Sequence, residues 1–262
     1  MIHASRRALL LGAAALPFLA RRAAAAEVVV LTSGGLTAAY RSLIPGFESS
    51  TGHKLTTHQG ASMGAAPDAI PQRLARGEPA DVVLLAADGL EALIAKGQAQ
   101  PGSRVDIARS LIGMAVRKGA PRPDISSLES FRQALLAAKS IAYSASASGV
   151  YIETEMYRKL GLHDELMAKS RRIYSERVGT VVARGEAEIG FQQVSELLPI
   201  EGIDYLGTIP EAVQQPTIFC AGIAANAREP EAARALIRYL ASPEAAPALQ
   251  KTGLEPLVRA AG

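Results

Sequence analysis

The sequence predicts an α/β fold in which mostly parallel strands are covered by helices. Three observations predict it. Short apolar runs such as Val28-Val29-Val30-Leu31 and Val82-Val83-Leu84-Leu85 recur along the chain and read as buried strands. Segments with the apolar spacing of amphipathic helices follow them. Loops of small residues stand at several strand–helix junctions, and this alternation builds a sheet flanked by helices.

The strand at residues 28–31 is broken by Thr32-Ser33-Gly34-Gly35. Residues 36–50 then place Leu36, Ala39, Tyr40, Leu43, Ile44 and Phe47 on one helical face, and Gly52 stops that helix. Residues 54–58 read as a second strand, 67–76 as a helix, 81–85 as a third strand and 89–96 as a helix. The middle repeats the pattern: strand 111–116, helix 128–138, strand 140–143, helix 150–160 ended by Gly161, a short strand at 172–174, helix 178–184 and strand 188–194. Beyond Pro210, residues 217–224 read as a strand and 229–240 as an amphipathic helix. Pro230 opens that helix, where a missing N–H is harmless, and residues 243–250 form the last helix.

Composition narrows the function. Of 262 residues, 48% are hydrophobic and 20% charged, an ordinary globular balance. The single cysteine, Cys220, excludes an internal disulfide and a CxxC zinc site. The first 26 residues hold Arg6, Arg7, Arg21 and Arg22 and no acid, with an apolar run at 8–20 and Ala23-Ala24-Ala25-Ala26 at the end. That order describes an export signal, with the paired arginines suggesting the twin-arginine route and cleavage near Ala26 releasing a periplasmic protein. Without those four arginines, 24 basic residues face 25 acidic ones, so nucleic acid is not an expected partner.

Ligands of open parallel sheets bind at the C-terminal strand ends. Three such ends run into Thr32-Ser33-Gly34-Gly35, Gly60-Ala61-Ser62-Met63-Gly64 and Ser146-Ala147-Ser148-Gly149. Helix starts offer unpaired N–H groups and partial positive charge, and small residues let an anion approach them. Serines at these places commonly cap helices instead, but three such loops in one chain point to an anion pocket. Arg177, ahead of a predicted helix, can pair a carboxylate bidentately, and Tyr151 either reaches the cleft or packs.

These loops resemble those of the periplasmic molybdate-binding proteins of ABC importers. The resemblance runs over nearly all of residues 27–258. It rests on Leu31-Thr32-Ser33-Gly34-Gly35-Leu36-Thr37, Gly60-Ala61-Ser62, Pro79-Ala80-Asp81-Val82-Val83, Val182-Ala183-Arg184-Gly185-Glu186-Ala187-Glu188-Ile189-Gly190-Phe191, Ser242-Pro243-Glu244-Ala245-Ala246 and Gly253-Leu254-Glu255-Pro256. It implies a type II periplasmic binding fold: two Rossmann-like lobes joined by a two-strand hinge around a ligand cleft. Lobe 1 would comprise 27–108 and 217–262, and lobe 2 would comprise 109–216. It also implies a monomer that captures a small oxyanion of the molybdate or tungstate type and docks transiently to a permease. Ser62 stands at a binding serine of the family, Gly35 at the first-loop serine, Ser148 and Ser175 at or near amide-donating positions, and Gln193 at the binding tyrosine. The ligand-binding set expected from both readings is Ser33, Gly34, Gly35, Ala61, Ser62, Ser146, Ser148, Gly149, Tyr151, Ser175, Arg177 and Gln193. A glutamine is both donor and acceptor, so a small organic carboxylate in the same fold is the alternative ligand, and a soluble receptor feeding a membrane sensor the alternative role.

No catalytic activity, metal or cofactor is expected. His53, His58 and His163 have no metal spacing, with His58 nearest a small-residue loop. There is no GxSxG or GxxxxGK[ST] motif, and Glu153 and Glu155, two apart, do not share a helix face. Cys220 lies in an apolar strand and reads as an inert thiol.

Overall fold

A computed structural model describes residues 25–257. The expected export segment lies outside the described residues except for Ala25 and Ala26. No helix among the described residues is long and apolar enough to cross a membrane.

The chain starts with β1 (Glu27–Thr32), α1 (Gly34–Thr51), β2 (Lys54–Gln59), α2 (Ile70–Ala75), β3 (Val82–Ala86), α3 (Ala87–Ala95) and β4 (Val105–Ser110). Leu111 alone separates β4 from β5 (Ile112–Arg117), and the chain passes into a second sheet. There follow α4 (Leu128–Ala137), β6 (Ile141–Ser144) and α5 (Ala147–Tyr151), which runs through a π-helical turn at Ile152–Met156 into α6 (Tyr157–Lys159). Then come α7 (His163–Met167), β7 (Ser170–Ile173), α8 (Val178–Ala183), β8 (Ile189–Gln193), α9 (Val194–Leu197) and β9 (Ile203–Thr208). The chain returns to the first sheet with β10 (Thr217–Ile223), α10 (Pro230–Leu240), α11 (Ala246–Lys251) and β11 (Glu255–Pro256).

Among the described residues the strands form two sheets, ordered β11-β4-β10-β3-β1-β2 and β7-β6-β8-β5-β9. The molecule is thus two α/β lobes joined by two crossings, with a cleft between them. Strand β3 shows why its sequence is continuously apolar. Val82, Leu84 and Ala86 enter the core beneath α1 and α10, while Val83 and Leu85 enter the one beneath α2 and α3. A period of two with both faces covered leaves no polar position. In the second sheet, Ile189 and Phe191 of β8 face a core with Phe131 and Tyr157, and Gly190 lies against Val178 and Val182 of α8.

The sheets are mixed rather than mostly parallel. β10 runs antiparallel to β3 and β4, and β5 antiparallel to β8 and β9. The two chain crossings cause this, because each delivers a strand against the direction of its neighbours. Three strands were not expected from the sequence: β4, β9 and the two-residue β11. In β4, Arg104 and Arg109 flank or occupy a half-exposed strand and pair with Asp106 and Glu255, which interrupts the apolar signal. β9 is a half-buried edge strand that shifts register opposite Met114 and Ala115.

Candidate functional site

The cleft forms where the C-terminal ends of β1, β2, β6, β7 and β8 meet, the position open α/β sheets reserve for ligands. It encloses about 760 Å³ of space, counting its open mouth.

From lobe 1 come Ser33, Gly34 and Gly35 at the start of α1. α1 has 18 residues, so its first amides carry the partial charge of a full helix dipole. Ser33 holds the N-cap position but its side chain makes no capping bond, and its buried hydroxyl oxygen has no partner among the described residues. Gly60, Ala61 and Ser62 follow β2. The Ser62 hydroxyl oxygen accepts from the Ala86 N–H at 3.0 Å, so its own hydrogen remains available to a ligand.

Lobe 2 brings Ser146 and Ser148 at the start of α5, Ser175 and Arg177 ahead of α8, and Gln193 at the end of β8. Ser146 also stands at an N-cap without capping. Its hydroxyl instead accepts from the Ser62 N–H at 3.2 Å, a bond that crosses the cleft. Ser148 exchanges a 3.2 Å hydrogen bond with Ser144. Arg177 is half-buried and makes no ion pair among the described residues, although its charge reaches Glu196. Gln193 Nε2 donates to the Thr217 hydroxyl at 2.8 Å, leaving a buried Oε1 without a partner. A hydroxyl can donate as well as accept, so the Gln193 amide can present either end to the cleft.

Ten of the twelve expected binding residues line this cleft: Ser33, Gly34, Gly35, Ala61, Ser62, Ser146, Ser148, Ser175, Arg177 and Gln193. Two do not. Tyr151 turns away and donates its hydroxyl to the Val213 carbonyl at 2.8 Å, with the Lys159 ammonium over its ring. Gly149 is packed on the β6 backbone, where a Cβ would lie 1.5 Å from the Ser144 carbonyl oxygen. His58 is exposed and outside the lining. Cys220 is buried, donates to the Leu85 carbonyl and has its thiol pushed up to about 12 by burial.

The sequence reading missed Gln192 as an oriented group, and Asp68, Glu196 and Phe219 altogether. Glu196 matters most. It sits in the first turn of α9, directly after β8, and a Cβ at Gly34 would lie 1.9 Å from its Oε1. Gln192 Oε1 accepts the Val178 N–H at 2.9 Å, which fixes the amide and aims Nε2 at Glu196 Oε1, 3.0 Å away. Burial pushes the Glu196 carboxyl up to about 7, against the opposing pull of Arg177 and the Gln192 donor. A carboxyl poised there can take or give a proton near neutral pH. The available signal was Gln192-Gln193-Val194-Ser195-Glu196 at a strand end, but α9 is too short to show a period.

The bacterial extracellular solute-binding proteins match residues 28–255 of this chain. An aconitate isomerase from a Pseudomonas species is 50% identical over 230 residues, covering 88% of each chain. The molybdate-binding protein ModA of Azotobacter vinelandii is 28% identical over 95% of this chain and 96% of its own. Among solved structures, the periplasmic molybdate-binding protein of Azotobacter vinelandii superposes with a TM-score of 0.70 at 23% identity, over 87% and 98% of the two chains. PEB3 with bound L-phospholactate gives 0.68 at 16% identity, over 87% and 99%. These likenesses carry the type II periplasmic binding fold. The first relative overturns the expectation that the chain is no enzyme. That expectation looked for catalytic motifs adjacent in sequence, whereas a carboxyl such as Glu196 gains its proton affinity from lobes that meet in space.

Proposed function

The chain belongs to the bacterial extracellular solute-binding proteins, and we propose that it uses their ligand cleft for catalysis, isomerising an unsaturated tricarboxylate of the aconitate type. Members of this family bind small ligands and usually dock to ABC permeases; here the bound solute is also turned over. The observation that carries the reading is the 50% identity to an aconitate isomerase across the length that forms both lobes.

The substrate's chemistry fits the cleft. Aconitate is a propene bearing a carboxylate on each carbon. Removing a proton from its methylene carbon leaves an electron pair spread over three carbons and the attached carboxylates. Returning the proton to the far carbon regenerates aconitate with the double bond moved to the other arm, so geometry can change without oxidant, reductant or cofactor. Such a step needs groups that hold several carboxylates, a base, and exclusion of bulk water. The amides of Gly34 and Gly35, the hydroxyls of Ser33, Ser62 and Ser146, and the Arg177 guanidinium serve the first need. Closure of the two lobes serves the last, and as charge spreads onto the carboxylate oxygens these fixed donors stabilise it.

A simple tetrahedral oxyanion is the less favoured ligand. The Glu196 carboxyl faces the same cleft, and in its ionised form it opposes a compact dianion. The protein is proposed to act outside the cytoplasm once residues 1–26 are removed.

The test is proton NMR of residues 27–262 with cis-aconitate in D2O. Appearance of the signals of the trans isomer is the expected outcome. A thermal shift with aconitate but no conversion would reduce the protein to a carboxylate binder, and a shift with molybdate alone would return it to oxyanion capture.

A further inference from the structure

We propose that Glu196 is the acid–base residue of the cleft, and that its carboxylate, seated against Gly34 and aimed by Gln192, carries the proton between the two ends of the substrate's three-carbon unit. This rests on the isomerase reading above and adds to it the group that moves the proton.

Among the described residues, three carboxylates line the cleft: Asp68, Glu176 and Glu196. Glu176 is exposed and committed to Arg184 through two hydrogen bonds of 2.8 and 3.0 Å. Asp68 belongs to the loop ahead of α2; its backbone carbonyl is packed on Gly60 and its Oδ1 is buried without a partner among the described residues. Of the three, Glu196 is the one set against the bare start of α1 and within reach of the Arg177 charge. Among the described residues, no histidine lines the cleft, and its serines have no base aligned on them.

The surroundings leave Glu196 free to change charge. Gly34 of α1 presents only backbone to it, β8 presents the neutral Gln192, and the turn before α8 presents Arg177. β5 approaches α9 through Gly113, against Val194 and Leu197. Glu196 makes no ion pair among the described residues, so no partner locks it in the ionised form.

The step balances. The ionised carboxylate takes the methylene proton, and the C–H electron pair enters the three-carbon unit and its carboxylates. The resulting carboxylic acid then returns the same proton to the opposite terminal carbon, and the double bond forms on the side that lost the proton. Enzyme and charge are both restored. Gln192 is a positioning residue: its Nε2 donates to the ionised form, and the Val178 N–H keeps it pointed.

The experiment compares wild type, Glu196→Gln and Gln192→Met of residues 27–262. It follows cis-to-trans conversion against pH, with calorimetric binding of trans-aconitate as the control for folding. The expected result is a wild-type rate that rises through pH 7, a fall of at least 100-fold in Glu196→Gln with affinity within about tenfold of wild type, and an upward move of the inflection in Gln192→Met. A Glu196→Gln variant that binds and turns over within tenfold of wild type overturns this assignment while leaving the isomerase reading intact. If Glu196→Gln loses both binding and the folded circular-dichroism spectrum, Gln192→Met decides: an unmoved inflection overturns the assignment. A wild type that binds aconitate without converting it overturns the isomerase reading and this assignment with it.

Discussion

The side-chain amide of Gln214 pairs with both backbone groups of Ile112, accepting from its N–H and donating to its carbonyl, each at 2.9 Å. Ile112 is the first residue of β5, on the outward crossing, and Gln214 lies on the return connection between β9 and β10. A single side chain thus substitutes for a rung of β-ladder and ties the two crossings together.

Gln214→Ala leaves the buried Ile112 N–H without its partner, while the Ile112 carbonyl keeps the Ile209 N–H at 3.1 Å. A loss of about 1–3 kcal/mol of stability is expected from the one unsatisfied N–H. Chemical denaturation of the ligand-free protein measures it, and a variant within about 0.5 kcal/mol of wild type would show that the crossings hold without this link.

Ser62 serves two masters, since its hydroxyl oxygen accepts from Ala86 and its N–H donates across the cleft to Ser146. Ser62→Ala removes only the hydroxyl. Affinity for aconitate should fall by about tenfold to a hundredfold, the worth of one hydrogen bond to a charged group, and the melting temperature should fall because the Ala86 N–H is orphaned. Ser146→Ala removes the interlobal acceptor without touching Ala86, so it should weaken binding with a smaller thermal effect. Equal thermal losses in both variants would argue against this division of roles.

Much of this architecture could be read from local pattern, and the exceptions have physical causes. β3 and β8 were legible because both faces are buried and their runs are unbroken. Strand direction was not, because an antiparallel crossing strand such as β10 has the same local composition as a parallel one. The loop serines were legible as a group, and neither Ser33 nor Ser146 takes the capping role that competes for such positions. Tyr151 was misplaced because the helix from Ala147 carries its ring round to Val213. Glu196 was invisible because its character comes from Gly34, distant in sequence, and from a four-residue helix with no readable period.

Two glycines separate packing from function. At Gly149 a Cβ would overlap the Ser144 carbonyl oxygen, which is backbone and cannot swing aside. Gly149→Ala should therefore destabilise the fold by about 2 kcal/mol or more. At Gly34 the overlap is with the Glu196 carboxylate, the end of a flexible side chain. Gly34→Ala should keep the melting temperature within a few degrees while displacing Glu196 and cutting turnover at least tenfold. Thermal unfolding and the NMR assay applied to both variants check the contrast, which fails if Gly34→Ala is the less stable of the two.

The Glu196 carboxyl also writes itself into the pH dependence of stability. Its value stands at about 7 in the folded protein against the ordinary 4.5, raised chiefly by burial. The folded state therefore holds this proton more tightly than the unfolded chain. Below pH 4.5 both states are protonated and the contribution is fully present. As pH rises from 4.5 towards 7, the unfolded chain ionises freely while the folded protein resists, and the stability from this group is lost; above about 7 the loss is complete. The displacement corresponds to at most about 3 kcal/mol, less to the extent that cleft water reaches the carboxylate. Glu196→Gln cannot ionise and escapes that loss. The variant should match wild type near pH 4.5 and exceed it by about 1–3 kcal/mol at pH 8, in denaturation of the ligand-free protein at both values. A gap that is the same at the two pH values would mean that the carboxyl titrates in its ordinary range, and that the cleft does not hold it in reserve as a neutral acid.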